Sequence, residues 1–135
     1  KYIDIPSEPA YPFAFGLSYT TFEYSALKVL PGDGGKVHAR VRVEVKNTGR
    51  YEGEEVVQLY VRDEAASITR PVKELKGFEK IALKPGESKE VVFDITDEQL
   101  GFYDNRMNFV VEKGDFTFMV GTNSRDVDSV SYTLL

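Results

Sequence analysis

Apolar and polar side chains alternate with a period of two along most of this chain. The longest run covers ten residues and reads Val37-His38-Ala39-Arg40-Val41-Arg42-Val43-Glu44-Val45-Lys46. Shorter runs with the same period cover residues 57–62, 91–96, 116–120 and 130–134. Successive side chains of a β-strand point to opposite faces, so each run predicts a strand with one apolar face turned inward.

Turn-forming residues separate these runs. The Asn-Thr-Gly of residues 47–49 suits positive φ and bonds from side chain to backbone, and residues 113–115 predict a further turn. The Pro-Gly of residues 85–86 predicts a type II turn, because proline presets φ and glycine accepts a positive φ. Only residues 97–100 have a helical pattern, a single turn capped by Thr96. Short strands, frequent turns and no crossover helix predict a β-sandwich of about seven strands and disfavour a parallel sheet.

Composition limits the chain to one domain and disfavours several classes of function. Its 135 residues carry a net charge of −5, which is unsuited to a surface that binds nucleic-acid phosphates. Cysteine is absent, which excludes disulfides, thiolate zinc sites and a cysteine nucleophile. No apolar run approaches the ~18 residues of a membrane span, so no membrane partner is predicted. The sequence starts at Lys1 without a signal peptide, and we expect it to be cut from a longer protein.

The first twenty residues form a leader with a different pattern. Pro6, Pro9 and Pro12 prevent helix formation and keep this segment extended. The leader nevertheless contains many large apolar residues, namely Tyr2, Ile3, Ile5, Tyr11, Phe13, Phe15, Leu17 and Tyr19. We expect an extended segment of this composition to lie against another surface, because its side chains are poorly suited to water. The chain is therefore divided into an inter-domain leader, residues 1–20, and a folded domain, residues 21–135.

Residues 11–22, Tyr-Pro-Phe-Ala-Phe-Gly-Leu-Ser-Tyr-Thr-Thr-Phe, resemble a segment of glycoside hydrolase family 3 β-glucosidases. In that family the segment leads from the second catalytic domain into a C-terminal fibronectin type III-like domain. Further matches follow in the same order at residues 47–49, 53–60, 70–78, 83–87 and 114–116. The resemblance is strongest to the bacterial periplasmic-type enzymes. It implies an all-β fold, an immunoglobulin/fibronectin type III-like β-sandwich of about seven strands with an extended N-terminal leader, and a periplasmic or secreted location.

The resemblance also implies that the family's catalytic residues, an Asp nucleophile and a Glu acid/base, lie in preceding domains. The carboxylates of this chain do not supply a substitute, because glycoside hydrolysis needs two carboxyl groups about 5–9.5 Å apart. Glu54 and Glu55 are neighbours on a predicted strand and must point to opposite faces. Asp97 and Glu98 suit the first turn of a helix. We therefore expect no catalysis by this chain alone and no cofactor.

Two further candidates for chemistry are weak. His38 is the only histidine, which rules out a histidine-based metal cage, and its place in the alternating run predicts a solvated strand residue. Asp126 and Asp128 could contribute to a calcium site, but calcium requires six to eight oxygen ligands. No metal site is therefore predicted.

The candidate functional residues are those that would dock this domain on the catalytic domains of the same polypeptide. They are Tyr11, Phe13, Phe15 and Tyr19 in the leader and Arg70, Lys73 and Lys76 in a basic run. For the basic run, the structural alternative is an edge segment whose charges discourage pairing with another sheet. For the leader, the alternative is packing on a second copy, which would form a homodimer.

Together these features predict a non-catalytic accessory domain that stabilises or positions catalytic domains acting on terminal β-glucosides. A carbohydrate-binding module is one alternative, although such modules use exposed aromatic platforms and this chain contains no tryptophan. A β-sandwich that mediates protein interactions is the other, because sandwiches host many functions.

Overall fold

The computed structural model describes residues 3–6, 20–64 and 72–135, the first of these only as backbone. The strands in these ranges are β1 (Ile3–Pro6), β2 (Thr21–Pro31), β3 (Ala39–Asn47), β4 (Gly53–Asp63), β5 (Glu74–Leu83), β6 (Ser88–Ile95), β7 (Phe102–Tyr103), β8 (Phe109–Val110), β9 (Gly114–Gly121) and β10 (Val127–Leu134). A single helical turn, α1 (Asp97–Leu100), follows β6. No helix in the described ranges is long and apolar enough to cross a membrane.

Two four-stranded antiparallel sheets form the body of the domain. One has the order β1-β2-β3-β6 and the other β10-β9-β4-β5, while β7 and β8 form a separate hairpin. The predicted all-β sandwich is confirmed, with eight strands in its two sheets rather than about seven. Part of the predicted leader belongs to the first sheet, because Ile3 pairs with Tyr24 and Pro6 with Thr21. Residues 7–19 of the leader lie outside the described residues.

The apolar faces predicted from the alternation meet in one core. Along β3, Val41, Val43 and Val45 are buried and the residues between them are partly or fully exposed. Leu59 of β4 and Phe93 of β6 belong to the same cluster. Its other buried members are Phe22, Tyr24, Ala39, Val57, Val61, Ile81, Leu83, Val91, Ile95, Leu100, Phe116, Phe118 and Val120. The prediction that Val43, Leu59 and Phe93 share an inter-sheet core is therefore confirmed.

A buried asparagine closes one end of the sandwich. The Asn47 side-chain amide donates to the carbonyl oxygens of Tyr51, at 2.8 Å, and Leu83, at 2.9 Å. Its side-chain oxygen accepts from the Gly49 amide at 2.9 Å and from the Thr20 hydroxyl at 2.5 Å. The expected side-chain bonds are present, but the expected positive φ is wrong for residues 47–49. Close packing requires the glycine instead, since a Cβ at position 49 would collide with Thr20.

Two local predictions are confirmed in detail. Gly86 adopts φ +81°, and the Glu87 amide donates to the Lys84 carbonyl at 2.9 Å, as a type II turn requires. Thr96 caps α1, because its hydroxyl accepts from a backbone N–H of the first turn. The Gln99 side chain accepts in return from the Thr96 amide at 2.8 Å, which completes a capping box. Both features depend on residues close together in sequence.

The antiparallel order places the connections at two opposite ends. The Asn47 end holds the turns 48–52 and 84–87 and the start of β2, where the Thr48 amide donates to the Thr21 carbonyl at 2.8 Å. The hairpin end holds the loop 32–38, α1, the β7–β8 hairpin and the start of β5. The helical turn α1 packs there against β4 and β6. The two ends are about 30 Å apart, the length of a nine-residue strand such as β3.

Candidate docking surface

The outer face of the β4–β5 pair carries exposed apolar side chains among polar ones. Across this pair Gln58 lies opposite Phe78 and Tyr60 lies opposite Leu75, and residues opposite each other in a ladder share one side of the sheet. Phe78 is 64% exposed, Leu75 is exposed as well, and Val56 adds a third exposed apolar side chain. We name these three residues, Leu75 and Phe78 of β5 and the neighbouring Val56 of β4, the β5 apolar face.

A β-bulge brings Leu75 and Phe78 to the same side of the sheet. Residues three apart in a regular strand point to opposite faces. Here Gly77 and Leu75 pair with consecutive residues of β4, so that Lys76 is an extra residue in β5. The bulge therefore turns Leu75 outward, where an unbroken alternation would have turned it toward the core.

Lys76 is directed into a pocket at the hairpin end. Its side chain is only 19% exposed, and its Nζ lies 3.4 Å from the Gly101 carbonyl oxygen and 3.8 Å from Glu74 Oε2. The pocket has a volume of about 190 Å³ and lies between the start of β5 and the C-terminus of α1. Val72 and Phe102 line its sides, so the pocket connects β5 with the β7–β8 hairpin.

Lys73 is directed elsewhere. Its ammonium donates to the Ser124 carbonyl and lies 5.9 Å from the centre of the Tyr60 ring, within range of a cation–π contact. Lys73 and Lys76 therefore have different partners and do not form one basic patch. Arg70, the third cation of the predicted run, lies outside the described residues.

Sequence reasoning missed the residues of this run that reach the surface. Val72, Leu75 and Phe78 are exposed large apolar side chains among the described residues of this run. These three residues are spaced three apart, whereas residues on one face of a regular strand are spaced two apart. Without knowledge of the bulge, the sequence therefore did not indicate that they share a surface. The available signal was three large apolar residues in a short, otherwise charged segment.

Four of the predicted docking residues lie outside the described residues, namely Tyr11, Phe13, Phe15 and Tyr19. The segment that contains them is flanked by Pro6 and Thr20, and Pro6 pairs with Thr21 at the Asn47 end. Lys73 and Lys76, the two described lysines of the predicted docking set, lie near the start of β5 at the hairpin end. The two groups of predicted docking residues are therefore attached to opposite ends of the sandwich.

The β7–β8 hairpin carries a second exposed apolar surface. Tyr103 pairs with Phe109 across the hairpin, and their rings meet edge to face with centroids 5.2 Å apart. Tyr103 and Met107 are 65% and 74% exposed, and Phe109 is exposed as well. Tyr103, Met107 and Phe109 are named the hairpin cluster. Alternation could not reveal it, because strands of two residues are too short to show a period.

The carboxylates considered for catalysis do not converge. Glu54 is exposed, with its Oε2 3.3 Å from Lys80 Nζ, whereas its neighbour Glu55 is buried. Glu55 accepts hydrogen bonds from the Tyr24 hydroxyl at 2.8 Å and the Thr122 hydroxyl at 3.1 Å. Burial raises the pKa of Glu55, and burial together with the Glu55 carboxylate raises the pKa of Tyr24. This arrangement links β2 to β4 inside the sandwich and is structural in character.

His38 departs from its prediction. It precedes β3 and is half-buried, and its Nε2 lies 2.6 Å from Asp97 Oδ1 in the first turn of α1. The prediction is wrong in placing His38 within the strand, whereas the partial exposure of its side chain agrees with a solvated histidine. The pairing brings α1 back to the start of β3, and alternation within a strand contains no information about such a contact.

Asp126 and Asp128, the candidates for a calcium site, have different surroundings. Asp126 accepts from the Asn123 side-chain amide at 3.0 Å. Asp128 is buried and accepts from the Ser129 backbone amide at 3.1 Å. Among residues 20–64 and 72–135, no three His, Cys, Asp or Glu side chains are grouped so that they could hold a metal ion.

Two antiparallel sheets with one core between them and short connections at both ends define an immunoglobulin-like β-sandwich domain. A family model described as the fibronectin type III-like domain matches residues 55–124. The chain belongs to this family.

Nearly the whole chain is also similar to part of larger glycoside hydrolases. It is 47% identical to the periplasmic β-glucosidase of Salmonella typhimurium over 100% of the chain and 18% of that enzyme. It is 47% identical to a β-xylosidase of Formosa agariphila over 93% of the chain and 18% of that enzyme. The crystal structure of a family 3 β-glucosidase from Bifidobacterium adolescentis matches with a TM-score of 0.77 and 40% identity, over 92% of the chain and 18% of that protein. The chain thus spans about 18% of the length of these relatives, and the resemblance predicted from its motifs is confirmed.

Proposed function

We propose that this chain is a non-catalytic accessory domain of a family 3 β-glucosidase-like hydrolase. In that role it stabilises or positions the catalytic domains that cleave terminal β-glucosides. The observation that carries the proposal is the β5 apolar face, an exposed apolar surface among the described residues of a domain that already has its own core. The similarity to enzymes more than five times as long supports a partner within the same polypeptide, since the chain spans 18% of them.

The β5 apolar face has the character of a contact between tethered domains. Exposed apolar side chains gain free energy when a partner removes them from water. Interfaces between domains of one chain bury about 600–1,500 Å². A covalent tether raises the effective concentration of the partner, so a surface of modest size is sufficient.

The predicted docking residues extend this surface. Lys76 lines the pocket beside the β5 apolar face, and Lys73 joins the Ser124 loop to Tyr60 on the outer side of the same sheet. In the proposal Arg70 and the leader aromatics contact the same catalytic domains. These leader residues are Tyr11, Phe13, Phe15 and Tyr19, whose segment begins and ends at the Asn47 end.

The proposal assigns no step of the hydrolysis to this domain. Glu54 and Glu55 face opposite sides of β4, and Asp97 is paired with His38. Two carboxyl groups about 5–9.5 Å apart around a sugar are therefore to be found in the catalytic domains. The cellular setting in the proposal is periplasmic or secreted, which is supported by the similarity to a periplasmic β-glucosidase.

The experiment that tests the proposal is the double variant Leu75→Ser/Phe78→Ser in the intact protein. We expect the unfolding transition of this domain within the intact protein to shift down by about 2–4 °C or more, because an interdomain contact of at least ~1 kcal/mol is lost. Hydrolysis of an aryl-β-glucoside per folded molecule should change by less than about twofold, since no side chain of this domain takes part in the chemistry.

Val92→Ser is the matched control, because Val92 is an exposed apolar residue on the outer face of β6. It should change the free energy of unfolding by less than about 0.5 kcal/mol. Equal melting temperatures for the double variant and the wild type would contradict docking through β5. A shift that depends on protein concentration would instead indicate a homodimer.

A further inference from the structure

The hairpin cluster is an apolar surface that the β5 apolar face does not include, and its base is firmly held. The Phe109 ring lies directly on Gly101, where a Cβ would collide with it. The carbonyl oxygen of Gly101 accepts from the Lys76 ammonium at 3.4 Å. The hairpin is thereby attached both to the end of α1 and to the bulge of β5.

The tip of the hairpin holds Met107 outward. Asp104 Oδ1 accepts from the backbone amides of Arg106 and Asn108, each at 2.9 Å. The Met107 amide donates to the Asp104 carbonyl at 3.0 Å, and Met107 adopts φ +63°, a conformation uncommon for residues other than glycine. The turn therefore presents a long, adaptable apolar side chain at a defined position.

The direction of β1 in its sheet bears on which partner could cover the cluster. β1 is antiparallel to β2, with Ile3 opposite Tyr24 and Pro6 opposite Thr21, so β1 runs toward the Asn47 end. The N-terminal end of β1 therefore points toward the hairpin end, with Ile3 opposite the fourth residue of β2. In the proposed enzyme most of the polypeptide lies outside this domain, since the chain spans 18% of its relatives.

We propose that the hairpin cluster is seated in an apolar recess of a catalytic domain upstream of Ile3 in the same polypeptide. This inference rests on the proposed accessory function. Methionine and aromatic side chains are enriched in the buried centres of protein interfaces, and Tyr103, Met107 and Phe109 supply such a centre. The Lys76 pocket is lined by Val72, which precedes β5, and by Phe102 of the hairpin, so it lies between the hairpin and the start of β5.

A glycan fits the hairpin cluster less well than a protein does. The Tyr103 and Phe109 ring planes are inclined by 64°, so the two rings do not form a flat platform for a sugar. Met107, the most exposed of the three, offers only a weakly accepting thioether to sugar hydroxyls. The exposed aliphatic surface is instead suited to another apolar surface.

Oxidation of the intact protein with hydrogen peroxide tests the inference, because the two methionines of this chain have opposite environments within the domain. Met107 is exposed, whereas Met119 is buried and serves as the internal control. The thioether sulfur is oxidised to a sulfoxide as it takes one oxygen atom from peroxide, which is reduced to water. Mass spectrometry of the two peptides gives the two rates.

We expect Met107 in the intact protein to oxidise at least about 10-fold more slowly than methionine in an unstructured peptide of the same sequence, close to the rate of Met119. Tyr103→Ser should increase the Met107 rate several-fold by weakening the contact. Val92→Ser, on the outer face of β6, should leave that rate unchanged.

Oxidation of Met107 at the rate of the unstructured peptide would overturn the inference, even where the Leu75→Ser/Phe78→Ser test supports the accessory function. Slow oxidation of Met107, combined with no change in melting temperature for that double variant, would support the hairpin contact but not docking through the β5 apolar face. Each proposal can therefore be overturned without the other. Protection that disappears on dilution would assign the surface to a second copy. Protection that appears only with added soluble β-glucan would assign it to a glycan, and either result overturns the inference.

Discussion

The two outer faces of the sandwich are both built on alternating strands, but they differ in the side chains they expose. On the β3–β6 face, side chains of opposite charge meet, with Arg40 Nε 3.1 Å from Asp94 Oδ1 and Arg42 paired with Glu90. On the β4–β5 face, the exposed side chains of the β5 apolar face lie beside a charge pair, that of Glu54 with Lys80. Both faces cover the same core, so their difference does not come from the packing beneath them.

The difference indicates which face is suited to water and which to a partner. Exposed charge pairs contribute only about 0.2–1 kcal/mol each, but they keep a sheet solvated. Apolar side chains at the same positions contribute to stability only when a second surface covers them. The β3–β6 face is therefore complete in solvent, whereas in the proposed enzyme the β4–β5 face is completed by a catalytic domain.

The largest expected effect lies in the core that both faces share. Leu59→Ala and Phe93→Ala should each lower the free energy of unfolding by about 2–5 kcal/mol, because both side chains are buried in the inter-sheet cluster. Phe93 also packs over Gly77 of β5 and so connects the two sheets directly. Urea unfolding of the purified chain measures the loss. A loss below about 1 kcal/mol for either variant would show that the residue does not support both faces.

A smaller effect should separate the inner and outer sides of β4 itself. Glu55→Ala leaves the buried Tyr24 hydroxyl without its partner and should cost about 1–3 kcal/mol. The adjacent change Glu54→Ala removes only an exposed pair with Lys80 and should cost less than about 0.5 kcal/mol. Equal costs in urea unfolding would contradict the assignment of the two glutamates to opposite sides.

The pH dependence of Glu55 sharpens this distinction. Because burial raises the pKa of Glu55, the folded state holds its proton more tightly than the unfolded state does. The contribution of Glu55 to the free energy of unfolding is therefore fully present below the ordinary glutamate pKa. It is lost as pH rises through the raised pKa of Glu55 in the folded state. The stability of the wild type relative to Glu55→Gln should fall as pH rises across that window. A difference that stays constant with pH would contradict the raised pKa.

The smallest effect belongs to the charged face. Arg40→Ala removes the pair with Asp94 and should cost at most about 1 kcal/mol, and less at high salt, because both side chains are accessible to solvent. Urea unfolding at low salt and at about 1 M salt provides the measurement. A cost above about 2 kcal/mol, insensitive to salt, would mean that the charged face supports the fold and would remove the contrast between the two faces.

The sequence by itself determined the sandwich, its core and the type II turn at Gly86, although the turn predicted at residues 113–115 is instead the start of β9. A period of two is written into each strand separately, so the buried sides of β3, β4 and β6 followed from alternation alone. The capping box of Thr96 and the positive φ of Gly86 likewise depend on neighbours a few residues away. The ordered motifs were sufficient to identify the family.

Only the tertiary structure decided which surfaces the domain leaves uncovered. The bulge at Lys76 is a property of two paired strands, and it reverses the direction of Leu75 that alternation would assign. The contacts of Glu55 with Tyr24 and of His38 with Asp97 join residues 31 and 59 positions apart. Such features depend on register and on the meeting of distant segments, and neither is contained in the periodicity of a single strand.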